Sequence, residues 1–279
     1  MRTVGALFRN EMIKTTRRPA TAVTLGLFTF VLCMIAGSSF YQALVHPDRA
    51  SFVLPTAWPG LLDDPGVPSA FFAAILIILL VDSEFSWRTA RQNVIDGLTK
   101  EGWFGGKLML FAAVCLGFFA LHLLVTGTVA AYGSFHIAGG IRTLARGSDL
   151  RMMGADLLMV SGLGSVAMLA AFATRSSGPA MGLFFFYVAL GEKLLGLVLS
   201  QIGGAAASVI PFLPMKLFTS VEEPARWDPA ALQRALEAAA KHGRPAPDFG
   251  NTTLLVWIAV AEIVVFLALT FLVYRRRDL

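Results

Sequence analysis

Four side chains that carry charge, or can, stand where an apolar chain has least use for them. His122 lies within the run 108–133, Glu192 and Lys193 within 178–200, and Glu262 within 252–274. A charge at the centre of a membrane helix costs about 2.5–3.5 kcal/mol on insertion scales, so such groups face the protein interior and pair. At a rise of about 1.5 Å per residue, His122 falls roughly 22 Å above the inner end of its run, Glu192 and Lys193 about 21–22 Å, and Glu262 about 18 Å. One polar layer in the outer half of a membrane would hold all four. Two arrangements fit: Lys193 paired with Glu262 beside a substrate path, or Glu192-Lys193 at the outer boundary with Lys193 reaching water along its aliphatic stem. Acid–base catalysis inside a membrane would need a cluster, and His122 with Glu262 is the one candidate.

Other chemistries lack their residues. Gly102-Trp103-Phe104-Gly105-Gly106-Lys107 looks superficially like a phosphate-binding loop, but Glu101 and Leu108 stand where the Gly-x4-Gly-Lys-Ser/Thr spacing needs Gly and Ser or Thr. Nucleotide chemistry would therefore have to come from another polypeptide. Neither His-Glu-x-x-His nor Gly-x-Ser-x-Gly occurs. His46, His122, His136 and His242 are too scattered for a metal cage. Basic residues without interleaved aromatic platforms give no case for nucleic acid. Cys33 and Cys115 both sit in apolar runs and read as packing residues.

The elements that must position these groups are membrane spans. Of 279 residues 56% are hydrophobic and 15% charged, and mean hydropathy is +0.68. A soluble domain is about a quarter charged. Apolar runs long enough to cross about 30 Å of hydrocarbon cover 20–44, 66–82, 108–133, 152–174, 178–200 and 252–274. The first carries Glu11 upstream and is too long for the apolar region of a cleavable leader. Lys and Arg are more than twice as dense in 1–19, 83–107, 175–177 and 275–279 as in 45–65, 134–151 and 201–251, which puts both termini in the cytoplasm. Arg142, Arg146 and Arg151 run against that assignment.

Between the spans, 3–18 places Val4, Leu7, Phe8 and Met12 on one helical face, with Arg9, Lys14 and Arg17 elsewhere. That is an amphipathic helix at the inner interface, its cations near lipid headgroups, or simply a basic flank that orients the protein. Pro19 breaks it before the first span. The uncharged run 194–215, with Gly203-Gly204, Pro211 and Pro214, suits a re-entrant segment between the fifth and sixth spans. Residues 228–243 form a capped helix, with Asp228 at N-cap, Pro229 at N1 and Gly243 as the stop. Gly178 and Gly182, and Gly162, Gly164 and Ala167, allow close helix packing, within the chain or at a dimer seam. The fold class is all-α integral membrane, one transmembrane domain over 1–279.

The most specific stretch follows the second span: Glu84-Phe85, Thr89 and Arg91, Gly97 with Thr99-Lys100, then Lys107. Here the chain resembles the ABC-2 type permeases, especially the bacterial group of bacitracin-resistance and nitrous-oxide-reductase maturation permeases. Arg88 replaces the Gly usual before the Thr. Glu11 through Arg17-Arg18-Pro19 is similar to the family's entry helix, Arg175-Ser176-Ser177 to its second inner loop, and Tyr274-Arg275-Arg276-Arg277-Asp278-Leu279 to its terminus.

The resemblance implies a cytoplasmic coupling helix between the second and third spans, docked on a separate ATPase. Glu84, Thr89, Arg91, Asn93, Ile95, Gly97 and Lys100 would carry that contact, Ile95 with Val94 as its apolar centre. The same charges would also serve as plain solvation of an inner loop. It further implies two permease copies, or a copy and a paralogue, with two ATPase subunits that bind ATP and Mg. No cofactor is expected on this chain, and membrane lipids are its other partners. The expected function is export of an amphipathic substrate (a drug, peptide antibiotic or lipid) across the bacterial cytoplasmic membrane, with no covalent step by the permease itself. A rival is a membrane scaffold for an ATPase-driven envelope assembly that releases no substrate.

Overall fold

The computed structural model describes residues 4–45, 52–63, 66–87, 99–225, 227, 229–242 and 251–276. Among them every regular element is helical: α1 (Val4–Thr16), α2 (Pro19–Val45), α3 (Trp58–Asp63), α4 (Gly66–Ser86), α5 (Lys100–Ala138), α6 (Gly147–Thr174), α7 (Ser177–Phe186), α8 (Glu192–Ile202), α9 (Gly204–Ala207), α10 (Pro214–Ala225), α11 (Pro229–His242) and α12 (Thr252–Arg276). Six stretches are long and apolar enough to cross a membrane, the pattern of a multi-pass membrane protein: α2, Pro68–Ser86 within α4, α5, α6, the α7–α8 pair and α12. Tyr187–Gly191 joins α7 to α8 as a single π-helical turn.

The spans stand where the apolar runs placed them, with one correction. The third span was expected from 108, but α5 begins at Lys100 and runs for 39 residues. At about 1.5 Å per residue it is roughly 58 Å long, nearly twice the hydrocarbon thickness. Both ends are capped. The Thr99 side chain accepts from the Gly102 N–H at 3.0 Å, and Gly139 ends the helix at φ 70°, a left-handed turn that glycine adopts without penalty.

The core lies where α4 and α6 pack on each other and on α2 and α5. Phe28 and Leu32 of α2, Ala73 and Ile78 of α4, Phe118 of α5, and Val160 and Leu163 of α6 are fully buried. Small residues let these helices approach. A Cβ on Gly164 would meet Ile77 and Phe111 at 3.1 Å, so this glycine packs within the chain. Gly178 and Gly182, by contrast, face open space. The fifth and sixth spans are mostly exposed, with Leu183, Leu197, Trp257 and Val264 turned outward, as a bilayer solvent permits.

After α8 the chain turns through α9 and a 3-10 turn at Ile210–Phe212, then enters α10 with a 60° bend. Phe218 of α10 fills a notch at Gly162, where a Cβ would come within 2.1 Å of its ring. Gly162 lies roughly 22 Å along α6 from its start, so this part of α10 lies beside the middle of α6. The helix expected over 228–243 is α11; Asp228 and Gly243 lie outside the described residues.

Candidate functional site

The ends of six helices meet where α4 ends and α5 begins, and the side chains they contribute form one buried network. Glu84 stands two residues before the end of α4, and Lys107 two turns into α5. Lys107 Nζ donates to Glu11 Oε2 at 2.5 Å and lies 3.0 Å from Glu84 Oε1. Lys14 spans the same carboxylates, at 3.4 Å from Glu11 and 3.3 Å from Glu84. Arg18, from the link between α1 and α2, sits 3.9 Å from Glu84 and donates to the Leu80 carbonyl at 3.1 Å and to the Ser83 hydroxyl. Two carboxylates thus face three cations. Lys107 and Glu84 are almost wholly buried, so their mutual attraction is poorly screened.

An aromatic group continues this network to the other helices. Phe85 packs edge-on to Trp103 and Phe172 with centroids 6.0 and 5.6 Å apart. Tyr274 stacks on Trp103 at 4.9 Å. Lys107 lies over Trp103 at 5.2 Å, and the Arg175 guanidinium over Phe85 at 5.2 Å, both cation–π distances. Arg175 ends α6 in a left-handed conformation, φ 54°, which turns its side chain back toward Phe85. The ends of α1, α4, α5, α6 and α12, and the start of α2, are tied together here.

Residues quoted from separate motifs therefore touch. Glu11, Arg18, Glu84, Phe85, Lys107, Arg175 and Tyr274 all belong to this assembly. Thr89, Arg91, Asn93, Ile95 and Gly97 lie outside the described residues. Lys100 is the first residue of α5 and half-buried. The entry helix corrects the expectation for 3–18. Its inward face mixes Glu11 and Thr15, both buried, with Met12 packed on the core, while Phe8 and Ile13 point outward. Lys14 and Arg18 turn to carboxylates of the chain itself; Arg9 and Arg17 remain exposed.

The four intramembrane groups divide into separate clusters. His122 is fully buried with Ser69 of α4 and Asp156 of α6, whose oxygens lie 2.9 and 3.2 Å from its Nδ1. Both contacts fall on the same ring nitrogen, whereas a serine–histidine–aspartate relay places hydroxyl and carboxylate on opposite nitrogens. Glu192 accepts from the Tyr187 hydroxyl at 3.0 Å and from the Met215 and Lys216 N–H groups at 2.8 and 2.7 Å. Its carboxylate thus caps the start of α10, where free N–H groups and the helix dipole favour negative charge. Lys193 is exposed and makes no ion pair within 4 Å among the described residues, so the Lys193–Glu262 pair does not form. Glu262 is an electrostatic neighbour of Glu192 and Tyr187. His122 Nε2 and Glu262 Oε2 are each buried without a hydrogen-bond partner, so the two residues are not joined through those atoms.

Sequence reading missed Asp156, Ser69 and Tyr187. Asp156 had a signal, a carboxylate inside an apolar run. Ser69 and Tyr187 had none, since a hydroxyl in a span usually bonds its own helix. No protein-family model matches the sequence, and no curated protein is significantly similar to it.

Proposed function

We propose that this chain is the permease subunit of an ATP-driven exporter of the ABC-2 type, working in the bacterial cytoplasmic membrane. It would act with a second permease copy or paralogue and with separate ATPase subunits that bind ATP and Mg. One observation carries the reading: the network of Glu11, Lys14, Arg18, Glu84 and Lys107, with its aromatic extension, grips both helices that lead into and out of 88–98. A force applied to that stretch would reach the ends of six helices through buried contacts rather than flexible loop. Such a joint suits rigid-body motion of a docked segment.

In this reading the stretch 88–98 is the cytoplasmic coupling element, the bent segment from α9 to α10 is a re-entrant hairpin, and the cargo is amphipathic. The test uses the complex as purified from its own membrane. An ATPase carrying a Gly-x4-Gly-Lys-Ser/Thr loop should accompany the full chain, and amphipathic compounds should change its turnover. Glu84→Gln should weaken that response about tenfold, a typical coupling loss, while leaving basal hydrolysis in place. Turnover indifferent to every compound would favour the scaffold instead. Full transport by the chain without any ATPase would end both readings.

A further inference from the structure

At the end of the bundle away from α1, the helices α6, α10, α11 and α12 enclose a cavity of about 620 Å³. That volume lies inside the usual range for small-molecule sites, roughly 300–1,000 Å³. Two walls descend side by side, and each changes character on the way. On α6 the wall passes from Arg151 through Gly154 to Leu158; on α12 it passes from Thr252 and Thr253 to Val256. Arg151 to Leu158 is about 10 Å of descent. Val221 of α10 and Trp227 close other sides. One end of the cavity is polar and cationic, and the other is apolar.

The charge that the described residues bring to the Arg151 end is of one sign. Among the described residues no acidic side chain lines the cavity, and Arg151 makes no ion pair within 4 Å. A zwitterionic head would bring a cation with no carboxylate among the described lining residues to receive it. A neutral head would leave the guanidinium unused. We propose that this cavity binds an amphiphile with one anionic head on an acyl chain. The head lies against Arg151 and the threonine hydroxyls, and the chain descends along Leu158 and Val256. The site belongs to this chain alone and stands or falls independently of the ATP-driven reading, because binding needs no second subunit.

The experiment uses the full chain in nanodiscs of phosphatidylcholine, with nitroxide-labelled stearate as probe and its methyl ester as the uncharged control. The readout is the share of tryptophan quenching that Trp227→Phe removes. Stearate should quench that share saturably, with the ester at least about tenfold weaker, as expected when a charge-assisted contact is lost. Arg151→Ala, a change at an exposed side chain, should bring stearate to the level of the ester. Gly154→Phe fills the cavity from a position where a Cβ meets nothing within 4 Å, and it should remove the saturable share for both probes. Discs containing phosphatidylglycerol separate the two sources of such a head: competition there identifies a bilayer phospholipid, and unchanged affinity identifies a free fatty acid. Quenching that only grows with membrane concentration would overturn the proposal. So would equal affinity for acid and ester, or an Arg151→Ala variant indistinguishable from the unaltered chain.

Discussion

An ammonium buried between two carboxylates balances charges that water cannot reach, and Lys107 occupies that position between Glu11 and Glu84. Lys107→Met keeps most of the volume and removes the charge, leaving the carboxylates to Lys14 and Arg18. Breaking a buried pair in this way costs about 3–5 kcal/mol, and the thermal midpoint of the purified chain should fall accordingly. Adding Glu11→Gln should recover part of the loss, because it withdraws one of the stranded charges. Glu11, Glu84 and Lys107 were each legible as residues of a motif, but their contact was not. Glu11 and Lys107 stand 96 positions apart, and nothing in local spacing reports a meeting over that distance. The pairing of Lys193 with Glu262 failed for a related reason. Height along a helix can be counted from sequence, whereas the direction a side chain faces depends on how each helix is rotated in the bundle, and that rotation leaves Lys193 exposed.

Among the elements, α10 depends most on a single neighbour. Its Phe218 ring occupies space that only a glycine at 162 leaves open. Gly162→Ala should therefore destabilise the protein by about 1–3 kcal/mol through overpacking, and Phe218→Leu in the same chain should restore part of it; paired unfolding measurements in detergent would read both. If Gly162→Ala proved neutral, the ring would not be held as described. The bend after the fifth span was legible because Gly203-Gly204 and two prolines interrupt an uncharged run. Its anchor, Glu192 on the N–H groups of Met215 and Lys216, was not, because the sequence shows a charge in a span without showing which helix start it serves. The facing of α1 was equally hidden: Phe8 and Ile13 point outward while Glu11 and Thr15 are buried beside Met12.

At the scale of the whole molecule, the proposed reading has six crossings, an even number, which would bring the α1 end and the end of α12 out on one side. In chains lacking Cys33 and Cys115, single cysteines at Gly5, Gln92 and Arg276 should react with an impermeant maleimide from the same side, and one at Ile141 from the other. Labelling of Gln92 together with Ile141 would break the topology. The spans themselves were readable because a bilayer demands long apolar runs whatever their packing. The start of α5 was not, since hydropathy marks the part of a helix that lipid surrounds and stays silent about turns that continue past it. That unbroken helix carries Lys107 near one end, His122 midway, and farther along Gly127 and Gly133, packed against Trp58 and Phe52. A capped helix of this length has no joint at which a tilt could dissipate. Whatever reorients it at the Lys107 end must, in the same stroke, shift Phe52 and Trp58 packed near the other, so the two ends cannot be timed separately.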